Sequence, residues 1–177
     1  PLHWAVNFVY PANIQALLAA GADLMARNKY GATPLHGAAN GTTANIQALL
    51  DAGAGVMARD EDGRTALHWA TQHGNPANIQ ALLAAGADVM AWYKNGETPL
   101  HYVALGGTPE DIQALLAAGA DVMARDKYGT TPLHRAAQWG TPANIQVLLA
   151  AGADVMARRE YGGTPLHWAA QYGTSAN

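Results

Sequence analysis

The sequence predicts an all-α fold, a solenoid of stacked helix-turn-helix units. Three observations carry this. The tetrad Thr-Pro-Leu-His recurs at Thr33, Thr98, Thr131 and Thr164; Thr65-Ala66-Leu67-His68 is a variant, and the chain opens inside one at Pro1-Leu2-His3. Its histidines, His3, His36, His68, His101, His134 and His167, are spaced by 33, 32, 33, 33 and 33 residues. A second block, NIQALL or NIQVLL, begins at Asn13, Asn45, Asn78 and Asn144, with DIQALL at Asp111. A period of this length across the whole chain marks an array that grows by adding repeats instead of by enlarging one core.

The stretch from Thr131 to Gly163 shows the elements in order. Thr131 followed by Pro132 is a helix start: the hydroxyl can accept an orphan N–H, and proline at the first helical position forfeits no hydrogen bond. Leu133, Ala136 and Ala137 fall on one helical face, and the two alanines let a neighbouring backbone come close. Gly140 is expected to end this helix in a left-handed cap. Thr141-Pro142 repeats the start signal, and Ile145, Leu148 and Leu149 form an apolar stripe ending at Gly152. The turn between the helices is short enough to make them neighbours running in opposite directions. Asp154 to Gly163 is then an extended excursion, turning at Gly162 and Gly163. Helices of about ten residues lie below the roughly 12–15 at which an isolated helix becomes marginally stable. Each repeat therefore depends on its neighbours to cover its apolar faces.

The unit TPLHxAA, then Gly, then a second helix, then LLxxGAD, at a period near 33 residues, resembles an ankyrin repeat, and the resemblance spans the whole chain. It implies an L-shaped array with projecting hairpin loops. It also implies a concave binding face, built from first helices and hairpin tips and usually used for other proteins. One departure is systematic. Where the family usually has Asn in the segment after GAD, this chain has Met25, Met57, Met90, Met123 and Met156. The methionines are expected to pack one hairpin softly on the next, the alternative being a Met-lined contact surface. Asparagine chemistry at that position does not carry over.

The repeats are expected at 1–32, 33–64, 65–97, 98–130 and 131–163, with a partial one at 164–177, all in a single array. Repeat one has Val9 where others have Gly, which alters its inter-helix turn. Repeat two is one residue short near Asn40-Gly41 and carries Gly37 inside its first helix and Gly55 where others have Asp. It is expected to be the least regular, since a helical glycine costs roughly 1 kcal/mol against alanine. Both ends break inside a repeat without polar capping substitutions. This favours a piece of a longer array over ends that pair with another copy.

Composition narrows the function. Net charge is −3, too small to argue by itself for nucleic acid or an acidic ligand. With no Cys, disulfides and thiolate metal sites are excluded. No apolar run reaches membrane-spanning length and no signal peptide is visible. The compartment stays open, cytoplasm being the default. The repeated histidines resemble a metal site but cannot be one, because stacked helices are about 8–10 Å apart and zinc ligands lie near 2 Å from the metal. An imidazole bonded to a neighbouring backbone is the expected role. Ser175 is the only Ser, and no HExxH or phosphate-cradling loop is present. Asp23, Asp88, Asp121 and Asp154 read as turn formers. No cofactor, metal or catalytic residue is expected, and the chain reads as a non-enzyme.

What varies between repeats points to a surface. Almost every aromatic, and every Lys and Arg, falls either on the outer positions of a first helix or in a hairpin; Tyr10 is the aromatic exception. The candidate partner-binding residues on the helices are Trp4, Phe8, Trp69, His73, Tyr102, Arg135, Trp139, Trp168 and Tyr172. Those in the hairpins are Lys29, Tyr30, Trp92, Tyr93, Arg125, Lys127, Tyr128, Arg158 and Tyr161. Trp, Tyr and Arg dominate binding energy at protein interfaces. Rings packing between successive first helices, and cations keeping hairpins soluble, account for part of the same pattern. The leading expectation is a protein-binding module with another protein as partner. Arg and aromatic hairpins also raise nucleic-acid binding, but Asp60, Glu61, Asp62, Glu97, Asp126 and Glu160 on those hairpins argue against it. A third reading is a structural scaffold stacking end to end.

Overall fold

The computed structural model describes residues 2–6, 10–73 and 75–172. Among them are eleven helices and no strand. In chain order they are α1 (Leu2–Ala5), α2 (Pro11–Ala19), α3 (Pro34–Ala39), α4 (Thr43–Asp51), α5 (Ala66–His73), α6 (Pro76–Ala84), α7 (Pro99–Gly106), α8 (Pro109–Ala117), α9 (Pro132–Trp139), α10 (Pro142–Ala150) and α11 (Pro165–Tyr172). Each falls where the repeat calls for a first or second helix. No helix among the described residues is long and apolar enough to cross a membrane.

The chain divides into two compact units: Pro1–Ala70 with Asn75–Asp88, and Thr71–Gly74 with Val89–Asn177. In the first, second helix α4 packs against α2 and α6, and α3 packs on α1 and α4. In the second, first helices α7, α9 and α11 pack in a row and α8 packs on α10. The core of each unit is the repeated Leu and Ile: Leu35, Ile46, Leu49, Leu67 and Ile79 in one, Leu100, Ile112, Leu115, Leu133 and Leu148 in the other, all 2% exposed or less. Burying each such side chain is worth about 1.5–3 kcal/mol, which is how helices of eight or nine residues persist.

At the starts of α3, α7 and α9 the expected threonine is one half of a reciprocal capping box. The other half is histidine. His36 Nδ1 accepts the backbone N–H of Thr33 at 3.1 Å, and His101 and His134 do the same for Thr98 and Thr131 at 3.1 and 3.2 Å. Because a backbone N–H can only donate, Nδ1 is unprotonated and the ring is the neutral Nε2–H form. Nε2 then donates to the next hairpin: His3 to Ala32 O, His36 to Arg64 O, His101 to Thr130 O and His134 to Gly163 O, at 2.8 to 3.1 Å. The expected bond from imidazole to neighbouring backbone is therefore present, and both ring nitrogens are engaged. At the second helices the side chain does cap: Thr42, Asn75, Thr108 and Thr141 accept the N–H three residues on.

Gly140 also differs. Its φ is −72° and its ψ 179°, extended and not left-handed. A Cβ there would lie 2.7 Å from Ala104 O, Ala136 O and Ala136 Cα. Glycine is required because backbone passes too close for a side chain. Gly152, by contrast, has φ +92° and closes its helix as read from the sequence, Ala153 N–H reaching Leu148 O at 3.0 Å.

Repeat two is irregular as expected: α3 has six residues where α5, α7, α9 and α11 have eight. Gly37 has a packing reason, since a Cβ there would meet Val6 Cγ2 at 2.9 Å. Val9 lies outside the described residues.

Candidate functional site

Each hairpin is a tight turn held by its own side chains. Asp23, Asp121 and Asp154 accept the N–H two residues on at 2.8 Å, the turn-forming role expected of them. Further along, Asn28, Asp60 and Asp126 each accept two backbone N–H groups within the loop. Neighbouring hairpins are tied by backbone bonds: Glu61 N–H to Tyr30 O in the first unit, and Lys127 N–H to Asn95 O and Glu160 N–H to Tyr128 O in the second.

The methionines add another tie. Met57 Sδ accepts Asp88 N–H at 3.3 Å in the first unit; Met90 and Met123 accept Asp121 and Asp154 N–H at 3.3 and 3.2 Å in the second. The hairpin-packing role expected of them is thus present, made by sulfur as an acceptor. Met25, Met57, Met90 and Met156 remain solvent-exposed.

Arginines at one hairpin position bridge to the next hairpin. Arg27 Nη1 donates to Gly31 O and Arg59 O at 2.8 and 2.6 Å. Arg125 Nη1 donates to Gly129 O and Arg158 O at 3.4 and 2.9 Å. In this register Trp92 stands where the others have arginine.

In the first unit Trp69 is half-buried. Its indole N–H donates to Asp60 Oδ2 at 3.1 Å, the Arg64 guanidinium lies 5.4 Å from its ring centroid, and the His36 ring meets it edge-on at 5.7 Å. Arg64 also pairs with Asp60 at 2.9 Å and with Asp62 at 3.3 Å. Burial opposes the charge on Asp60, but its bonds to the Arg64 backbone, the indole and the guanidinium outweigh that and hold its pKa below the usual carboxylate value. Trp4 is 72% exposed, and Lys29 sits over the ring of exposed Tyr30 at 4.8 Å.

In the second unit Tyr93 and Tyr102 stack at 5.6 Å, and the Tyr93 hydroxyl donates to Glu97. Burial, then the Glu97 bond, raises the Tyr93 pKa. Arg135 pairs with Glu97 and lies 3.6 Å from Asp126. Trp139, Tyr172 and Trp168 form a chain of ring contacts, and Arg159 covers Trp168 at 4.8 Å. Lys127 covers Tyr128. Trp92, Trp139 and Tyr161 are 61, 62 and 84% exposed, and the Arg158 side chain is exposed as well. Phe8 and the His73 side chain lie outside the described residues.

The structure thus places Trp69 with Asp60 and Arg64, brings Tyr93, Tyr102 and Arg135 together in another cluster, and Trp139, Trp168 and Tyr172 in a third. Sequence reading missed the buried carboxylates Asp60, Glu97 and Asp126 as their organisers, and Arg64 and Arg159 as members. The available signal was position: each of these acids lies shortly before a first helix that carries a ring or an arginine just after its His.

The profile described as Ankyrin repeats (3 copies) matches residues 2–93 and 91–159. The chain belongs to the ankyrin-repeat family. The helix-turn-helix repeats are those of an all-α ankyrin fold. A comparison with curated proteins gives no match. Ankyrin repeats are generally protein–protein interaction modules and generally not enzymes.

Proposed function

We propose that this ankyrin array is a non-enzymatic protein-binding module. Its contact residues are the hairpin tips and the outer first-helix positions. The observation that supports this most is the contrast between two apolar populations. Leu35, Ile46, Leu67, Ile79, Leu100 and Ile112 are at most 1% exposed, whereas Trp92 and Trp139 stand 61 and 62% in solvent. Large rings left in water gain most from being covered by a partner, and interfaces are enriched in them. Several cations that a nucleic acid would need are already held: Arg27 and Arg125 by carbonyls, Arg64 and Arg135 by carboxylates.

The test is affinity capture with the intact chain against a Tyr128→Ala, Trp139→Ala, Tyr161→Ala variant. Loss of the captured protein with unchanged helical circular dichroism supports the reading. Equal capture by the variant overturns it.

A further inference from the structure

Between the hairpins around Trp92 and Arg125, within the second compact unit, lies an open groove of about 550 Å³. Its lining includes Trp92, Gly96 and Arg125. These three have a meaning in the repeat. Elsewhere the residue at the Trp92 position is an arginine, and at Arg27 and Arg125 the guanidinium donates both to the carbonyl four residues on and to the carbonyl of its counterpart in the next hairpin. Arg27 bonds Gly31 O and Arg59 O in this way, and Arg125 bonds Gly129 O and Arg158 O. Translated by one repeat, the acceptors beside Trp92 are Gly96 O and Arg125 O. Among the described residues no donor is bonded to either.

We infer that this groove is a binding site for an arginine side chain of a partner protein, the incoming guanidinium taking the role that Arg27 and Arg125 play within their own hairpins. This rests on the protein-binding reading and names one contact within it. Three features select the chemistry. The two carbonyls require a donor and reject a carboxylate. The Trp92 indole is 61% exposed, and guanidinium stacks on rings better than ammonium does. The exposed Asp121 carboxylate also lines the groove. Lys94, Lys127 and Arg125 line it too and oppose a cation, although the Lys127 ammonium is drawn over the Tyr128 ring and the Arg125 guanidinium is held by carbonyls. Selectivity therefore comes from the fork geometry, which an arginine satisfies and a point charge does not.

The probe is the tripeptide acetyl-Gly-Arg-Gly-amide, titrated into the full chain at constant ionic strength and followed through the amide resonances of Gly96 and Lys127. Saturable shifts in the millimolar range are expected, with the lysine tripeptide at least several-fold weaker and the glutamate tripeptide inert. Trp92→Phe keeps the ring and should hold affinity within a few-fold. Trp92→Arg should fill the groove from within, raise the melting temperature and abolish the shifts. Equal response to arginine and lysine, preference for glutamate, no saturable shift, or shifts that persist in Trp92→Arg would each overturn the proposal. Because the capture variant leaves Trp92 intact, failure here with capture still lost in that variant rejects the groove alone. Failure of capture to depend on the rings rejects the broader reading.

Discussion

The Nε2 of His36 lies 3.0 Å from the carbonyl oxygen of Arg64, in the hairpin that closes the same repeat, while its Nδ1 holds the N–H of Thr33. One neutral ring thus caps a helix and ties it to a hairpin 28 residues on. A proton on Nδ1 would break the cap. Desolvation by burial lowers the pKa of His36, His101 and His134 below 6.5. The unfolded chain therefore binds more protons than the folded one between those lowered values and about 6.5, so stability rises with pH across that window. Urea midpoints should be highest above about pH 7 and fall as the pH drops below about 6.5. The fall should shrink in His101→Gln. A midpoint that is flat or rises on acidification would contradict the assignment.

Asp111 is fully buried, and one of its carboxylate oxygens has no hydrogen-bond partner among the described residues. At the same place in other repeats Asn45, Asn78 and Asn144 donate Nδ2–H to a backbone carbonyl at about 3.0 Å. Asp111 keeps the cap, accepting Thr108 N–H at 3.0 Å, but cannot donate when ionised. Asp111→Asn keeps the acceptor and supplies the donor. Stability should increase by roughly 1–3 kcal/mol, the cost of an unsatisfied buried polar group. Denaturant melts check it, and a loss of stability would show that the carboxylate has a use not seen in its contacts.

Two glycines next to each other in role should respond with opposite signs. Gly140→Ala would put a methyl 2.7 Å from two carbonyl oxygens and should destabilise by about 1–3 kcal/mol. Gly106, the last residue of α7, has no heavy atom within 4 Å of its added Cβ. Gly106→Ala should be neutral or stabilising by up to about 1 kcal/mol. Paired thermal melts decide it, and a matching sign for the two would remove the close-approach explanation.

These glycines show what a sequence can and cannot reveal. That Gly140 ends a helix is legible from its place between two periodic stretches. The reason is only partly so, because one of the crowding atoms, Ala104 O, comes from the preceding repeat, although Ala136 O and Cα belong to the same helix. The same divide runs through the candidate site. Period, helix positions and most of the buried Leu and Ile could be read, since each depends on residues a few positions apart; in the expected stripe of α10, however, Leu148 is buried while Ile145 is half-buried and Leu149 is 41% exposed. That Arg135 pairs with Glu97, 38 positions earlier, could not. The histidine cap fell between: the Thr to His spacing is local, but the ring's second bond, which fixes its tautomer, reaches across a repeat.

The methionine sulfurs predict a sensitivity to peroxide. Met57, Met90 and Met123 each accept a backbone N–H at 3.2–3.3 Å. Met25 is 43% exposed, much as Met57 is, and no such bond to its sulfur is present among the described residues. A sulfur lone pair that holds a hydrogen bond is a weaker nucleophile towards the peroxide O–O bond, so Met25 should oxidise faster than Met57, Met90 and Met123. Adding an oxygen to each sulfur, with water released, turns an apolar contact polar and displaces the sulfur from its N–H. Full oxidation should therefore lower the melting temperature by several degrees, and Met57→Leu, Met90→Leu, Met123→Leu should remove most of that response. Peptide mapping by mass spectrometry gives the order of oxidation and thermal melts give the consequence. Equal rates at all four positions would show that the N–H···S contacts do not hold in solution.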